Sequence, residues 1–149
     1  MQTMEGQIVA IWIKRAHRLP LDSVGQAELV EGRGVAGSAD QGGWRQITVI
    51  EETAWKNAEQ ELGAEVDPSA RRANVMIRGL DLENSRGKRL LLGDCIINIR
   101  GENPPCRLMD TPHAGLQKAL RPHWRAGVFG EIVRGGTIRI GDRVVFDQL

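Results

Sequence analysis

The chain has 149 residues, of which 41% are apolar and 26% charged. These are values of one globular domain with a sizeable core, and they exclude an intrinsically disordered chain. Twenty basic residues face nineteen acidic ones, for a formal net charge of +1. That near-balance argues against nucleic acid as a partner, and the absence of a long apolar run argues against a membrane.

Met1 to Gly6 lacks a basic region followed by an apolar stretch. No signal peptide is read there, and the cytoplasm is the expected compartment. Two cysteines in such a chain do not form a disulfide framework, so each is judged by its surroundings. One domain over residues 1–149 is expected, with its core between about residues 6 and 146.

In chain order, Gly6 to Lys14 is an apolar, β-branched run and reads as a buried strand. A polar segment around Pro20 leads to a short strand from Gln26 to Glu31. Gly32 to Gly43 holds five glycines in twelve residues and is a loop. Trp44 to Ile50 is a strand with Ile47 and Val49 on one face and Gln46, Thr48 and Ile50 on the other. Glu51 to Leu62 is a helix. Acidic residues open it, Ala54, Trp55, Ala58 and Leu62 form its apolar stripe, and Gly63 caps it.

Val75 to Arg78 is a further short strand, and Gly79 to Gly87 is loop. Lys88 to Leu92 and Cys95 to Arg100 are strands joined by Gly93-Asp94, a two-residue hairpin signal. Asn103-Pro104-Pro105-Cys106 stops the second, since proline cannot donate to a ladder. Thr111-Pro112 reads as the start of a short helix through Leu116, Ala119 and Leu120. Gly127 to Val133, Thr137 to Ile140 and Arg143 to Phe146 are late strands. Gly141-Asp142 joins the last two and reads as a second hairpin turn. Seven or eight short strands with two or three helices predict a mainly β fold, an antiparallel or mixed barrel with short covering helices.

Four segments, in this order, resemble the molybdenum-cofactor sulfurase C-terminal (MOSC) family. They are GVAGSADQGGWRQITVI, RRANVMIRGLDL, LLGDCIINIRGENPPCRLMD and GVFGEIVRGGTIRIGDRVVF. Together they run through most of the chain. The resemblance implies a β-rich barrel and sulfur or molybdenum-cofactor chemistry centred on one cysteine, which corresponds to Cys106. Two features depart from the family pattern. The glycine loop reads Gly37-Ser38 where the family has Gly-Asp, and Asn103-Pro104-Pro105 precede the cysteine.

Cys106 follows two prolines that hold the chain extended, with Arg107 beside it. Positive charge favours thiolate, the species that attacks a sulfur donor or ligates a soft metal; local sequence alone leaves open an inert buried cysteine, and a Cys95–Cys106 disulfide would need an oxidising compartment or a redox switch. Cys95 lies in a strand on the face of Ile97 and Ile99 and reads as a small core residue. Arg45, Arg71 and Arg72, with Asn74 and Arg107, form a candidate cofactor-binding set, because guanidinium groups hold phosphate through paired donors and the cofactor carries a phosphate. Each of these arginines also has an ordinary reading as a solvated surface residue. His17, His113 and His123 show no metal-ligand spacing and read as solvent-facing, although His113 and His123 could donate protons near Cys106. Trp12 and Trp55 fit the core, and Trp44 and Trp124 could flank a ligand.

The leading expectation is therefore a sulfur carrier. Cys106 would take sulfane sulfur from a pyridoxal-phosphate-dependent cysteine desulfurase and pass it to a metalloenzyme. The rival is a molybdenum-cofactor-binding reductase of N-hydroxylated compounds in which Cys106 ligates the metal. A third reading is a non-catalytic module that binds a small anion or another protein.

Overall fold

The computed structural model describes residues 4–147; Met1 to Thr3, part of the stretch read for a signal peptide, lie outside it. Among the described residues there are eleven strands: β1 (Gly6–Ile13), β2 (Asp22–Val24), β3 (Gln26–Val30), β4 (Gly34–Val35), β5 (Ile47–Glu51), β6 (Val75–Arg78), β7 (Arg89–Leu92), β8 (Cys95–Glu102), β9 (Val128–Arg134), β10 (Gly136–Arg139) and β11 (Arg143–Phe146). Two α-helices accompany them, α1 (Glu52–Leu62) and α2 (Leu116–Leu120), with 3-10 turns at Pro68–Arg71, Arg107–Asp110 and Pro122–Trp124.

Seven strands close into a barrel in the order β1, β11, β7, β8, β9, β5, β6 and back to β1. Closure removes the exposed edges that an open sheet would leave. Every pair in the ring is antiparallel except β5 with β6, which run parallel and are connected through α1. A parallel pair needs such a crossover, so the mainly antiparallel barrel contains one βαβ unit. β2 adds to β1 at the margin, and β10, β3 and β4 form a separate small sheet.

The period-2 alternation of strand side chains sorts the apolar residues into two layers. Ile11 and Ile13 of β1, Ile47 and Val49 of β5, and Val75 and Ile77 of β6 fill the barrel. Trp12, Ile50 and Met76, from the same strands, face outward and are covered by Trp55 and Ala58 of α1 and Leu116 and Leu120 of α2. The expected core positions of Trp12, Trp55 and Cys95 are all met, with Cys95 fully buried.

Helix α1 starts one residue later than the sequence suggested. Glu51 is its N-cap, and its carboxylate accepts from the backbone N–H groups of Thr53 and Ala54. Gly63 ends it at φ 75°, a conformation in which a Cβ is strained.

Two sequence expectations need correction. Gly93-Asp94 does make the hairpin between β7 and β8, with Leu92 opposite Cys95. Gly141-Asp142 does not: β10 pairs with β3, while β11 pairs with β7 and β1. It is a corner between sheets, stabilised by the Asp142 carboxylate, which accepts from Arg139 N at 2.8 Å. Thr111-Pro112 does not open a helix either. α2 begins after Gly115 (φ 92°), and the Asp110 carboxylate accepts from Gln117 N, taking the role expected of Thr111.

Candidate functional site

A cleft of about 1260 Å³ opens where four segments meet: Lys14 to Arg18, the glycine loop through Arg45, the turn at Ala70 to Asn74, and Asn103 to Pro112. Its floor lies at the start of the parallel pair, where Thr48 and Asn74 are joined. Thr48 N donates to Asn74 Oδ1 at 3.0 Å, and Asn74 N donates to Thr48 O at 3.1 Å. Five cationic side chains line the cleft, Lys14, Arg18, Arg45, Arg71 and Arg72, against one carboxylate, Asp40. A concave site with such an excess of one sign attracts anions.

Cys106 lies on the wall of this cleft and is exposed. Its backbone is extended (φ −106°, ψ 173°), and its carbonyl accepts from Met109 N at 3.0 Å. The 3-10 turn Arg107–Asp110 begins directly after it, and buried Met109 ties that turn into the layer under α1 and α2.

The segment is pinned by Arg71. Its Nη2 donates to Asn103 O at 2.7 Å, its Nε to Ala126 O at 2.9 Å, and its Nη1 lies 3.9 Å from Met109 Sδ. Burial pushes the Arg71 pKa down; the charge of Cys106 as thiolate opposes that shift, and neighbouring Arg45 adds to it. Arg45 stacks over Phe129 at 4.5 Å and donates to Asn103 Oδ1. Arg72 lines the cleft with positive φ (62°), and its terminal nitrogens donate to Leu19 O at 2.7 Å and Ala16 O at 3.1 Å. That tethers the loop around Pro20 to the site.

The structure thus brings together Cys106, Arg45, Arg71, Arg72 and Asn74 from the expected set. Arg107 is exposed and is not among the lining residues. His113 also lies off the cleft, bonded to Ala114 O at 2.9 Å. His123 sits in a second, smaller pocket, 3.2 Å from Glu83, so it is no proton donor to Cys106. Trp44 lines the cleft, whereas Trp124 packs on the barrel core. Sequence reasoning missed Lys14 and Arg18, and gave His17 no part in the site. All three follow β1 within five residues, and nothing local marks them as neighbours of Cys106.

The two thiols should separate cleanly by reactivity. Burial pushes the Cys95 pKa up to about 11, which leaves little thiolate at neutral pH. An alkylating reagent should modify Cys106 in the folded protein and reach Cys95 only on unfolding. Mass mapping of the labelled peptides checks this, and equal labelling of both in the native state would be the contrary result.

No curated protein matches the sequence. Solved structures share the fold at low identity. The YUAD protein from Bacillus subtilis is 18% identical with a TM-score of 0.82, and the match covers 99% of each chain. YiiM from Geobacillus stearothermophilus is 17% identical with a TM-score of 0.74, over 96% of this chain and 75% of that one. YiiM from Escherichia coli is 14% identical with a TM-score of 0.70, over 96% and 70%. No described helix is long and apolar enough to cross a membrane. The sequence pattern of the MOSC domain matches residues 36–145, a span that contains Cys106, Arg45, Arg71, Arg72 and all of the barrel from β5 to β9, and the chain belongs to the MOSC domain family.

Proposed function

We propose that this protein carries sulfur on Cys106 for molybdenum-cofactor-linked chemistry. The supporting observation is an exposed thiol on the wall of a wide cleft whose charged residues are five cations and one carboxylate. Exposure lets a protein donor, such as a cysteine desulfurase, bring its persulfide within reach. The Cys106 thiolate attacks the outer sulfur of that persulfide. A new S–S bond forms on Cys106, the donor's S–S bond breaks, and the donor cysteine leaves as thiolate. The exchange needs no outside oxidant. Arg71 supplies positive charge near the sulfur in the thiolate and in the persulfide anion. When a nucleophile of an acceptor metalloenzyme attacks the outer sulfur, the S–S bond to Cys106 breaks and Cys106 leaves as thiolate again.

The test is intact mass after incubation with a cysteine desulfurase and cysteine. Wild type should gain one sulfur atom that a reductant removes, and Cys106→Ser should gain none. Equal loading of both proteins overturns the reading.

The volume of the cleft favours a second reading, in which the whole cofactor binds there. The residues fit in kind. A thiolate suits molybdenum, and Lys14, Arg18 and Arg45 suit a pterin phosphate. When bound, the cofactor supplies two-electron atom-transfer chemistry such as reduction of N-hydroxylated compounds. Arg71 and Arg72, with nitrogens already given to backbone carbonyls, would shape the cleft and supply charge. Failure of sulfur loading together with about one molybdenum per purified chain supports this reading instead of the first.

A further inference from the structure

Large apolar side chains gather around the approach to Cys106. Leu108 is 65% exposed, Trp44 60% and Leu19 54%. Leu108 stands two residues after Cys106, and both Leu108 and Trp44 line the cleft. Leu19 sits beside it: its carbonyl accepts from Arg72, and both Arg72 and the preceding Arg18 line the cleft. A single exposed leucine is ordinary, but several large apolar side chains at one opening mark an interaction surface. Side chains exposed by more than half keep much of their surface wet when a small ligand sits inside the cleft. A second protein surface covers them.

Trp44 is already ordered for such a contact. The Arg100 guanidinium carbon lies 3.8 Å from its ring centroid, and Arg100 is paired with Glu131 at 3.3 Å. An ordered ring loses little freedom when it is covered, and tryptophan is among the residues that anchor protein interfaces.

The charge at this opening selects the partner. Arg18 and Arg107 are exposed and have no ion-pair partner among the described residues. Asp40, the one carboxylate lining the cleft, is already paired with Lys14 at 2.8 Å. Free guanidinium groups beside apolar side chains are complementary to a surface that combines acidic and apolar residues.

We propose that Leu19, Trp44 and Leu108, with Arg18 and Arg107, form the docking surface for the protein that delivers sulfur, and that this protein presents there an acidic segment with apolar side chains next to its persulfide cysteine. The proposal rests on the carrier reading and adds the chemistry of the partner. A patch of this extent falls short of a permanent interface, which suits a donor that must leave after each transfer.

The test compares two sulfur donors, a cysteine desulfurase with cysteine and glutathione persulfide, which needs no docking surface. The readout is the initial rate of sulfur loading from the desulfurase relative to that from glutathione persulfide, which cancels any change in the thiol itself. Leu108→Asp sets a negative charge where the acidic segment docks and removes apolar surface. Its relative rate should fall at least about tenfold, the loss of one interface anchor. Leu19→Asp should fall in the same direction. Leu108→Lys, equally polar but of the sign that attracts the partner, should lose less than Leu108→Asp. Ile140→Asp is the surface control, since Ile140 is 49% exposed and does not line the cleft, and it should load like wild type. Unaltered melting temperatures show that each variant folds.

Equal slowing with both donors, or an unchanged relative rate in both Leu108→Asp and Leu19→Asp, overturns the docking surface. Equal losses for Leu108→Asp and Leu108→Lys overturn the acidic partner. The two proposals fail distinguishably. Wild type that loads from both donors, with variants whose relative rates do not change, removes the surface alone. Wild type that loads from neither donor removes the carrier reading and the surface with it.

Discussion

Replacing Arg71 by methionine should destabilise the fold by about 2–4 kcal/mol and loosen the segment that carries Cys106. Methionine fills much of the same space but donates nothing. Asn103 O and Ala126 O each lose a bond from a charged group, and such bonds contribute roughly 1.5–3 kcal/mol apiece. The sum is offset in part, because burial disfavours the charged guanidinium and methionine carries no desolvation penalty. The functional effect has the same origin. Arg71 joins the turn before β6 to the Asn103 carbonyl and the Met109 thioether on either side of Cys106, and it also provides positive charge there. Urea unfolding measures the stability loss, and alkylation kinetics at Cys106 measure the change at the thiol. Arg71→Lys, which keeps the charge but loses the fork, should fall between wild type and methionine in stability. A loss below about 1 kcal/mol for Arg71→Met would show that the arginine does not pin the segment.

The second large effect is expected at Gly127, just before β9. Its φ is +97°, and a Cβ placed there meets Val49 O at 2.3 Å and Ile50 Cγ2 at 2.8 Å. The first of these is backbone of the neighbouring strand and cannot rotate away. Gly127→Ala should cost roughly 3–4 kcal/mol, combining a strained left-handed backbone with overpacking. Gly25→Ala is the matched control, since nothing lies within 4 Å of its would-be Cβ and its φ is not in the strained range. It should be neutral or slightly stabilising through the unfolded chain. Thermal or urea unfolding of the pair checks this, and similar stabilities for the two variants would contradict the close strand approach.

Much of the architecture was legible because it is written in local patterns. The alternation Ile47, Val49 against Ile50 is a period-2 signal, and the structure assigns those residues to opposite faces of β5. The stripe of α1 and its Gly63 cap follow from 3.6-residue spacing and from the backbone freedom of glycine. Gly93-Asp94 could be read as a hairpin because both of its strands are sequence neighbours. Gly141-Asp142 carries the same local signal and was misread, since strand pairing is decided by which edges are free and not by the turn. β2 and β4, three and two residues long, are too short to show any period.

The sequence by itself determined a β-rich barrel, a buried Cys95 and the family that the chain resembles, while the exposure of Cys106 came from the structure. The first three depend on residue type, neighbour and spacing along the chain. Only the tertiary structure decided how the site is built. Arg71 reaches Ala126 across 55 positions, Asn74 meets Thr48 across 26, and Arg45 meets Asn103 across 58. Trp44, in the bend before β5, is covered on one face by Arg100 of β8. An arginine's spacing reveals its charge but not which carbonyl it will reach, because that partner is chosen when the barrel closes and brings distant backbone within hydrogen-bonding range.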